Sequence, residues 1–308
     1  MDFEVIIPTR GELLKMENIL RSINSQTIIP SRITFILDKE ITSSELQENT
    51  YFLSRSLDED LQGCLRFITH LNSDFIPYCG ISYVRNFGID NAKYDNLIFI
   101  DDDNEFESTF FERLINQRLT NKLRYKKDLL IAPLMVFRKT NIVQSQGFSF
   151  NFLLSKVQLS KDGNPLYYTP KMLSGNCIFG AKSIFQTYRF DEKMKFVYED
   201  LDFTYRAFLG GVPLLVVKSI IINHMEIKKT KLRRLYIQDP MTAYQKAKNR
   251  IIFVKKNGSK IDNYKFFGLG LWLQTIWFIL LIILHGEEKI DLLKAIYYGT
   301  KDGFKFNG

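Results

Sequence analysis

Cysteine and histidine are both scarce in this chain, with three residues of each among 308. The cysteines, Cys64, Cys79 and Cys177, form no C-x-x-C pair, so the sequence predicts no zinc site. Because three thiols cannot all pair with one another, we expect reduced cysteines and a cytosolic protein. The first residues, MDFEVIIPTR, are acidic and then strand-like, so no secretory signal is expected there.

Repeats, low-complexity segments and glycine-rich linkers are also missing. The chain is 45% hydrophobic and 25% charged, which is typical of a folded protein and excludes a disordered one. Its length allows one large or two modest domains. The composition changes near residue 225, where it becomes basic and then apolar. We therefore predict two regions, residues 1–224 and residues 225–308.

Positive charge is concentrated in one part of the chain. The formal net charge is +8, yet residues 225–265 alone hold 12 Lys or Arg against 3 Asp or Glu. An uncharged run of 19 residues, FFGLGLWLQTIWFILLIIL, follows at residues 266–284. A membrane span needs about 20 apolar residues, so this run is either a borderline span or a buried core helix.

The basic segment decides between these alternatives, since anionic lipid headgroups attract such segments. It favours association with an anionic membrane surface, with the run either crossing the bilayer or lying in its interface. A nucleic-acid partner is not expected, because the few aromatic residues of the basic segment form no recognisable stacking platform.

Strand and helix patterns alternate over the first hundred residues. Strands are predicted at residues 3–10, 32–37, 65–70 and 96–100, and helices at 12–25, within 41–63 and at 80–92. This alternation predicts an α/β fold whose mainly parallel sheet is covered on both faces. Ligands bind outside the carboxyl ends of the strands in such sheets. That rule selects Pro8, Thr9, Arg10, Asp38, Asp101, Asp102 and Asp103.

Three consecutive aspartates end the fourth strand pattern, in LIFIDDDNEF at residues 97–106. One residue separates Asp101 from Asp103, so in extended backbone their carboxylates point to the same side. Such a pair suits Mg²⁺ or Mn²⁺, which complete their coordination with phosphate oxygens. A solvated turn after the strand would explain the same residues. The pattern alone leaves both interpretations open.

A second acidic cluster lies in KFVYEDLDFTYRAFLGG, residues 195–211. Glu199, Asp200 and Asp202 open a helix pattern, where the helix dipole alone would favour carboxylates. One of them could instead take a proton from an acceptor hydroxyl as a general base. His224 ends the next strand pattern, as a hydrogen-bonded residue or as a metal ligand.

The order of these motifs resembles that of the family 2 inverting glycosyltransferases, which have the GT-A fold, and especially their bacterial rhamnosyltransferase-like members. The matching pieces are VIIPTR, ILD at 36–38, SYVRNFGI at 82–89, FIDDDNEF, LSGNCIFGAKSIF at 173–185, YEDLDFTYRAFLGG and INH. They cover about residues 3–224. Each motif is weak by itself, and the specificity comes from seven of them in this order.

This resemblance implies a Rossmann-like GT-A domain followed by a helical membrane-associated segment. It implies a metal-dependent, inverting transfer of a sugar from a nucleoside-diphosphate sugar. The acceptor would be a hydroxyl of a surface glycan or lipid-linked saccharide at the cytoplasmic face of the cell membrane. The divalent cation would be Mg²⁺ or Mn²⁺.

The resemblance also implies roles for individual residues. Those expected to bind the nucleotide sugar are Pro8, Thr9, Arg10, Asp38, Arg85, Asp101 and Asp102. Those expected beside the sugar and acceptor are Gly175, Asn176, Cys177 and Asp202. Asp103 is the expected main metal ligand, joined by Asp101 and His224. Asp200, with Glu199 beside it, is the expected catalytic base, and Asp202 is a rival that the sequence does not separate from it.

Two other functions are compatible with parts of this pattern. A sugar nucleotidyltransferase can share a similar sheet and acidic metal site, but it usually carries a glycine-rich phosphate loop, which GELLK at 11–15 matches poorly. A catalytically silent, membrane-anchored module that binds nucleotide sugars is the other. The intact D-x-D and Glu-Asp pairs argue against it.

Overall fold

The fold is taken from a computed structural model, which describes residues 1–10, 13–37, 43–69, 80–161, 163–224, 232 and 235–306. Asp38, Cys79 and the predicted boundary at residue 225 lie outside the described residues.

Twelve strands occur in the described part of the chain. They are β1 (Glu4–Thr9), β2 (Arg32–Leu37), β3 (Leu65–Thr69), β4 (Asn96–Ile100), β5 (Asn104–Phe106), β6 (Leu130–Phe137), β7 (Val143–Ser145), β8 (Phe148–Asn151), β9 (Lys156–Leu159), β10 (Tyr167–Tyr168), β11 (Cys177–Ala181) and β12 (Leu214–His224).

The helices begin with seven that are interleaved with these strands. They are α1 (Leu13–Asn24), α2 (Ser43–Ser56), α3 (Glu59–Gln62), α4 (Ile81–Asn91), α5 (Phe110–Tyr125), α6 (Lys182–Tyr188) and α7 (Glu199–Leu209). The C-terminal helices are α8 (Pro240–Asn257), α9 (Lys260–Lys265), a π-helical turn (Phe266–Gly270), α10 (Leu271–His285) and α11 (Lys289–Lys305).

The main sheet has the order β10-β12-β6-β11-β4-β1-β2-β3. Six of these eight strands run in one direction, whereas β10 and β11 are antiparallel to their neighbours. The predicted α/β fold with a mainly parallel sheet is therefore confirmed. The antiparallel insertion of β11 between β4 and β6 was not predicted from the sequence, nor were the strands β5 to β10.

Alternate residues of the central strands enter two different cores. In β1, Val5 and Ile7 belong to one buried cluster and Ile6 to the other. Helices α1, α2 and α5 cover the first cluster, while α4, α6 and α7 cover the second. Because both faces of the sheet are covered, its strands read as continuous apolar runs instead of alternating ones.

Helix α8 packs against both parts of the molecule. Ile252 and Phe253 lie in a buried cluster with Tyr198 of the loop before α7. Ala243 and Ala247, on the same helix, join a separate cluster with residues of α10 and α11. The C-terminal helices therefore contact the sheet domain through α8.

The apolar run folds as predicted into a helix, continuous from Lys260 to His285. By length and composition this helix could cross a membrane, and 28% of its most apolar stretch is buried in the molecule. A core helix of a soluble protein would be mostly buried, so most of this surface lacks a partner in the described structure.

Candidate active site

The carboxyl ends of β1, β4 and β12 meet at one edge of the sheet. Thr9, Asp101 and His224 therefore come from distant parts of the sequence to a common place. The antiparallel strand β11 begins at this edge, where Cys177 pairs with Ile100. The backbone N–H of Asp101 donates to the carbonyl of Asn176 at 2.9 Å. This junction places residues 174–177 beside the three aspartates.

The short strand β5 brings the third aspartate to the histidine. It pairs antiparallel with β12, with Asn104 opposite His224. The Nε2 atom of His224 lies 3.1 Å from Oδ2 of Asp103. Asp103 Oδ1 is buried and finds no hydrogen-bond partner among the described residues. A carboxylate oxygen in that state is a ready acceptor for a cation.

The three aspartates also lie in a turn, which is the second interpretation that their sequence allowed. The side-chain amide of Asn104 donates to the carbonyl of Asp101 at 2.8 Å and closes the turn. Thr9 donates its hydroxyl to Oδ2 of Asp102 at 2.5 Å, which connects the turn to β1. Pro8 is buried within β1 and Arg10, just beyond it, is exposed.

Arg85 connects the two acidic clusters. Its guanidinium, which is 3% exposed, lies 3.2 Å from Asp101 Oδ1 and 3.2 Å from Glu199 Oε1. It also donates to the carbonyl of Gly175 at 3.0 Å and lies over the ring of Phe190 at 5.3 Å. A single buried cation from α4 therefore determines how far the sheet edge lies from α7.

Position 175 tolerates only glycine in this arrangement. A Cβ built on Gly175 would lie 2.7 Å from Arg85 Nη1 and 2.8 Å from Asp200 Cβ. The backbone of residue 175 can approach both side chains only because it has no side chain of its own. Gly175 thus contributes to the site through its N–H and its carbonyl.

Asp200 is half-buried, and backbone donors hold its carboxylate. Oδ2 accepts from the N–H of Gly175 at 2.7 Å, and Oδ1 accepts from the N–H of Leu201 at 2.8 Å. Its neighbour Glu199 is buried and faces Arg85 through one oxygen, while Oε2 finds no partner among the described residues. Asp200 is therefore the more accessible carboxylate of the pair.

The chain enters α7 through a strained turn. Val197 and Tyr198 have φ angles of 65° and 79°, a left-handed conformation that costs about 1–3 kcal/mol for a residue other than glycine. Asn249 of α8 donates to the carbonyls of Phe196 and Val197 at 2.8 and 2.9 Å. Lys246, also on α8, donates to the Tyr198 hydroxyl at 3.0 Å. The C-terminal helices thereby support the turn that orients Glu199 and Asp200.

Burial and charge imbalance determine the protonation of this cluster. Burial raises the pKa of Glu199 to about 8, repulsion from Asp200 adds to this, and Arg85 acts against both. Desolvation likewise raises the pKa of Asp101, with Arg85 opposing it. Burial alone would lower the pKa of Arg85, but Asp101, Glu199 and Asp200 together raise it. One guanidinium therefore faces three carboxylates, and burial favours the protonated forms of Glu199 and Asp101.

Not every residue selected from the sequence reaches the site. Asp202 is fully buried on another side of α7, where it accepts from Arg206 at 2.8 Å, Lys256 at 3.0 Å and Asn257 at 2.9 Å. The Cys177 side chain lies in the hydrophobic core, and burial raises the pKa of its thiol well above the usual value. Only the backbone of Cys177 lines the sheet edge.

Two of the three predicted metal ligands lie together in the structure. Asp103 and His224 face each other, whereas Asp101 faces Arg85. Within the described ranges, no group of three or more His, Cys, Asp or Glu side chains could hold a metal ion by itself. Two protein ligands still fit Mg²⁺ or Mn²⁺, which commonly take the rest of their oxygen ligands from substrate phosphates and water.

The sequence did not predict that Asn249 and Lys246 would support the turn before α7. Asn249 is fully buried, and Lys246 is nearly so. The one available signal was the segment KNRIIFVKKN, which places a polar asparagine among apolar residues at helical spacing. Nothing in that segment indicated contact with residues about fifty positions earlier.

No protein-family model matches the chain, and no curated protein matches it by sequence. Solved structures do resemble it. GalNAc-T7 with UDP, GalNAc and Mn²⁺ has a TM-score of 0.58 at 14% identity, over 93% of this chain. The chain spans 58% of the length of that structure.

Two structures of TarS from S. aureus, each of residues 1–349, are also similar. The complex with UDP-GlcNAc has a TM-score of 0.59 at 13% identity, covering 99% of this chain and 81% of that one. The other structure has a TM-score of 0.55 at 16% identity, covering 96% of this chain and 81% of that one. At these identities the likeness shows the fold alone, which is the expected GT-A fold.

Proposed function

We propose that this chain is a metal-dependent inverting glycosyltransferase of the family 2, rhamnosyltransferase-like type. The observation that carries this proposal is the bridge made by Arg85. It joins the sheet edge, where Asp103 and His224 face each other, to a helix that presents an accessible carboxylate. A sugar donor and an acceptor hydroxyl could thus meet at one junction.

The donor side is assigned to the sheet edge. Asp103 and His224 would hold Mg²⁺ or Mn²⁺, and the unpartnered Oδ1 of Asp103 supports this assignment. When bound, the cation would supply charge neutralisation for a departing diphosphate. Thr9 and Asp102 are proposed to face the nucleoside, together with Pro8, Arg10 and Asp38. The similar structures hold UDP with Mn²⁺ and UDP-GlcNAc, which favours a nucleoside-diphosphate sugar as donor.

The acceptor side is assigned to α7. The Asp200 carboxylate would take the proton of an acceptor hydroxyl as that oxygen attacks the anomeric carbon and the bond to the nucleoside diphosphate breaks. The N–H groups of Gly175 and Leu201 hold this carboxylate in place. Glu199 is engaged by Arg85 and is therefore not free to act as a nucleophile. This supports a single displacement with inversion, which needs only one carboxylate. Asn176 would lie beside the sugar and the acceptor.

The acceptor is proposed to be a hydroxyl of a surface glycan or of a lipid-linked saccharide. The basic segment and the apolar helix of residues 225–308 support a location at the cytoplasmic face of the cell membrane. Residues 1–224 would then form the catalytic region and residues 225–308 the membrane-association region.

Thermal unfolding with a panel of nucleoside diphosphates, each with and without Mn²⁺, tests the proposal. We expect one of them to stabilise the protein in a Mn²⁺-dependent manner, by about 2.7 kcal/mol at a concentration 100 times its Kd. Asp103→Asn should remove the Mn²⁺-dependent part of the shift, whereas Asp90→Asn, in an exposed ion pair with Arg189, should retain it.

The absence of a shift with every nucleoside diphosphate would refute the proposal. Binding without transfer of sugar to any acceptor would favour the silent binding module. Formation of a nucleotide sugar from a nucleoside triphosphate and a sugar phosphate would favour the nucleotidyltransferase.

A further inference from the structure

The helix formed by residues 260–285 has an apolar face that lacks a partner. Six large side chains on this face are between 47% and 69% exposed: Trp272, Leu273, Ile276, Trp277, Leu280 and Leu284. Their spacing places them along one side of the helix. No charged residue interrupts positions 266–284. A continuous apolar surface of this kind marks an interaction site.

The opposite face of the same helix is hydrogen-bonded to α8 near its midpoint. Arg250 is fully buried and donates to Gln274 Oε1 at 2.8 Å and to Thr275 Oγ1 at 2.7 Å. Its guanidinium also lies 5.1 Å from the centre of the Phe278 ring. Burial lowers the pKa of Arg250 to about 10, and no carboxylate among the described residues opposes this. Gln274 and Thr275 of α10 are thus the partners of a buried cation.

This attachment is incompatible with a transmembrane orientation. Residues 274 and 275 lie at the middle of the uncharged run, so a span would carry Arg250 to the centre of the bilayer or leave it without partners. A charged side chain at that depth is strongly disfavoured. Helix α11 packs beside α10 and would bring charged residues such as Lys294 and Asp291 into the hydrocarbon.

The chemistry of the exposed face favours lipid over a protein partner. Apart from Gln274 and Thr275, which face inward, the only polar groups in residues 266–284 are two indoles. The Trp272 indole already donates to the carbonyl of Phe267 at 3.0 Å. Protein interfaces carry about one hydrogen bond per 100–200 Å², and this face has almost nothing to supply them. Tryptophan is enriched where apolar surface meets lipid headgroups.

The charge at the N-terminal end of the helix agrees with an anionic headgroup layer. Lys260 and Lys265 are exposed at the N-terminal end of the helix, and Lys289 follows its C-terminal end, near Glu287 and Glu288. In contrast, basic residues of α8 such as Lys255 and Lys256 are bound to protein oxygens. At the C-terminal end the two glutamates outweigh Lys289, so attraction to anionic lipid falls to the N-terminal end of the helix and to the basic residues at 228–234, which lie outside the described residues.

We propose that residues 260–285 lie flat in the interfacial layer of an anionic phospholipid bilayer, with the outer face inserted and Arg250 holding the inner face on α8. The protein would then be peripheral and would not span the membrane. This inference rests on the membrane association in the proposed function. It places the turn at Val197 and Tyr198, which α8 supports, at a constant height above the lipid.

The protein's own fluorescence tests this geometry, because its only two tryptophans both lie on the outer face. The full chain is mixed with vesicles of phosphatidylcholine and phosphatidylglycerol brominated either near the headgroup or near the end of the acyl chain. We expect a blue shift of the emission, with stronger quenching by the shallow bromines. Stronger quenching by the deep bromines would mean a span and would overturn the inference.

Matched variants separate this face from other exposed apolar residues. Ile276→Glu should weaken partitioning to the vesicles about tenfold, because it replaces apolar surface that inserts. Leu123→Glu, at an exposed leucine of α5, should leave partitioning unchanged. Equal loss in both variants would contradict the proposal. The proposal would also be contradicted if vesicles left the tryptophan emission unchanged and sedimentation showed a dimer that Ile276→Glu dissociates.

Nucleotide-dependent thermal shifts on the same samples distinguish the two levels of inference. A retained shift without any lipid response would overturn only the interfacial placement. Loss of both would count against the proposed function as well.

Discussion

The two acidic clusters of this protein are held in place in different ways. The cluster at the sheet edge, Asp101 to Asp103, directly follows β4, and its partners Thr9 and His224 end other strands of the same sheet. The cluster on α7 follows a turn of two left-handed residues that α8 supports, and its contacts come from α4, from residue 175 and from α8. Sheet topology therefore positions the first cluster, while long-range packing positions the second.

Two carboxylates of the α7 cluster, Asp200 and Asp202, also differ in burial and in the partners that hold them. Asp200 is half-buried and accepts from two backbone N–H groups. Asp202 is fully buried and accepts from Arg206, Lys256 and Asn257. The residue with cationic partners is part of the packing between α7 and α8. The residue without them is the more exposed of the two.

The largest effect is expected for Asp200→Asn. A general base contributes about 10²–10⁴-fold to rate, so transfer should fall by that factor. The amide replaces one acceptor oxygen, so the unfolding free energy should fall by about 1 kcal/mol only. Transfer rate and chemical denaturation measure the two quantities. If this variant retained full transfer, Asp200 would not be the base and the contrast with Asp202 would disappear.

Asp202→Ala should act on stability instead. It leaves Lys256 and Arg206 without their buried partner, and breaking a buried pair costs about 3–5 kcal/mol. The two cations are 19% and 26% exposed, so a loss near the lower end, about 3 kcal/mol, is expected in chemical denaturation. Asp90→Ala removes an exposed pair and should cost about 1 kcal/mol or less. Equal losses in the two variants would show that the Asp202 network contributes little.

The positions of the sheet-edge residues could be predicted from the sequence because they follow from the directions of the strands. Residues that directly follow parallel strands must lie at one edge, so Thr9, Asp101 and His224 could be placed together without long-range information. The α/β class followed from the same alternation of patterns. The antiparallel β11 could not be foreseen, since a five-residue apolar strand gives no sign of its direction.

The helix cluster could not be resolved from the sequence for a physical reason. Asp200 and Asp202 are close in sequence and chemically identical, and their difference comes from residues about fifty positions away. Lys256 was counted from the sequence as part of a cationic surface, yet in the structure it is bound to Asp191 and Asp202. Charge counts along a chain do not reveal which charges are already paired.

Asn249→Ala tests whether α8 supports only the second cluster. Loss of its two hydrogen bonds to the carbonyls before α7 should let the strained turn relax and should lower kcat about tenfold. Nucleotide binding with Mn²⁺ should stay the same, because the sheet edge does not depend on α8. Asn121→Ala removes another buried asparagine, on α5, and should leave kcat unchanged. Weaker Mn²⁺-dependent binding in Asn249→Ala would mean that the two clusters are coupled.

The last effect is a pH dependence of stability and concerns Glu199, which lies where the clusters meet. Burial raises its pKa to about 8 in the folded protein, against a usual value of 4.5. Its contribution to stability is therefore fully present below the usual value and is lost as the pH rises through about 8. Glu199→Gln does not ionise, so without metal the wild-type unfolding free energy should fall relative to the variant between pH 5 and pH 9. Denaturation curves at several pH values measure this difference, and parallel pH profiles would mean that Arg85 keeps Glu199 ionised throughout.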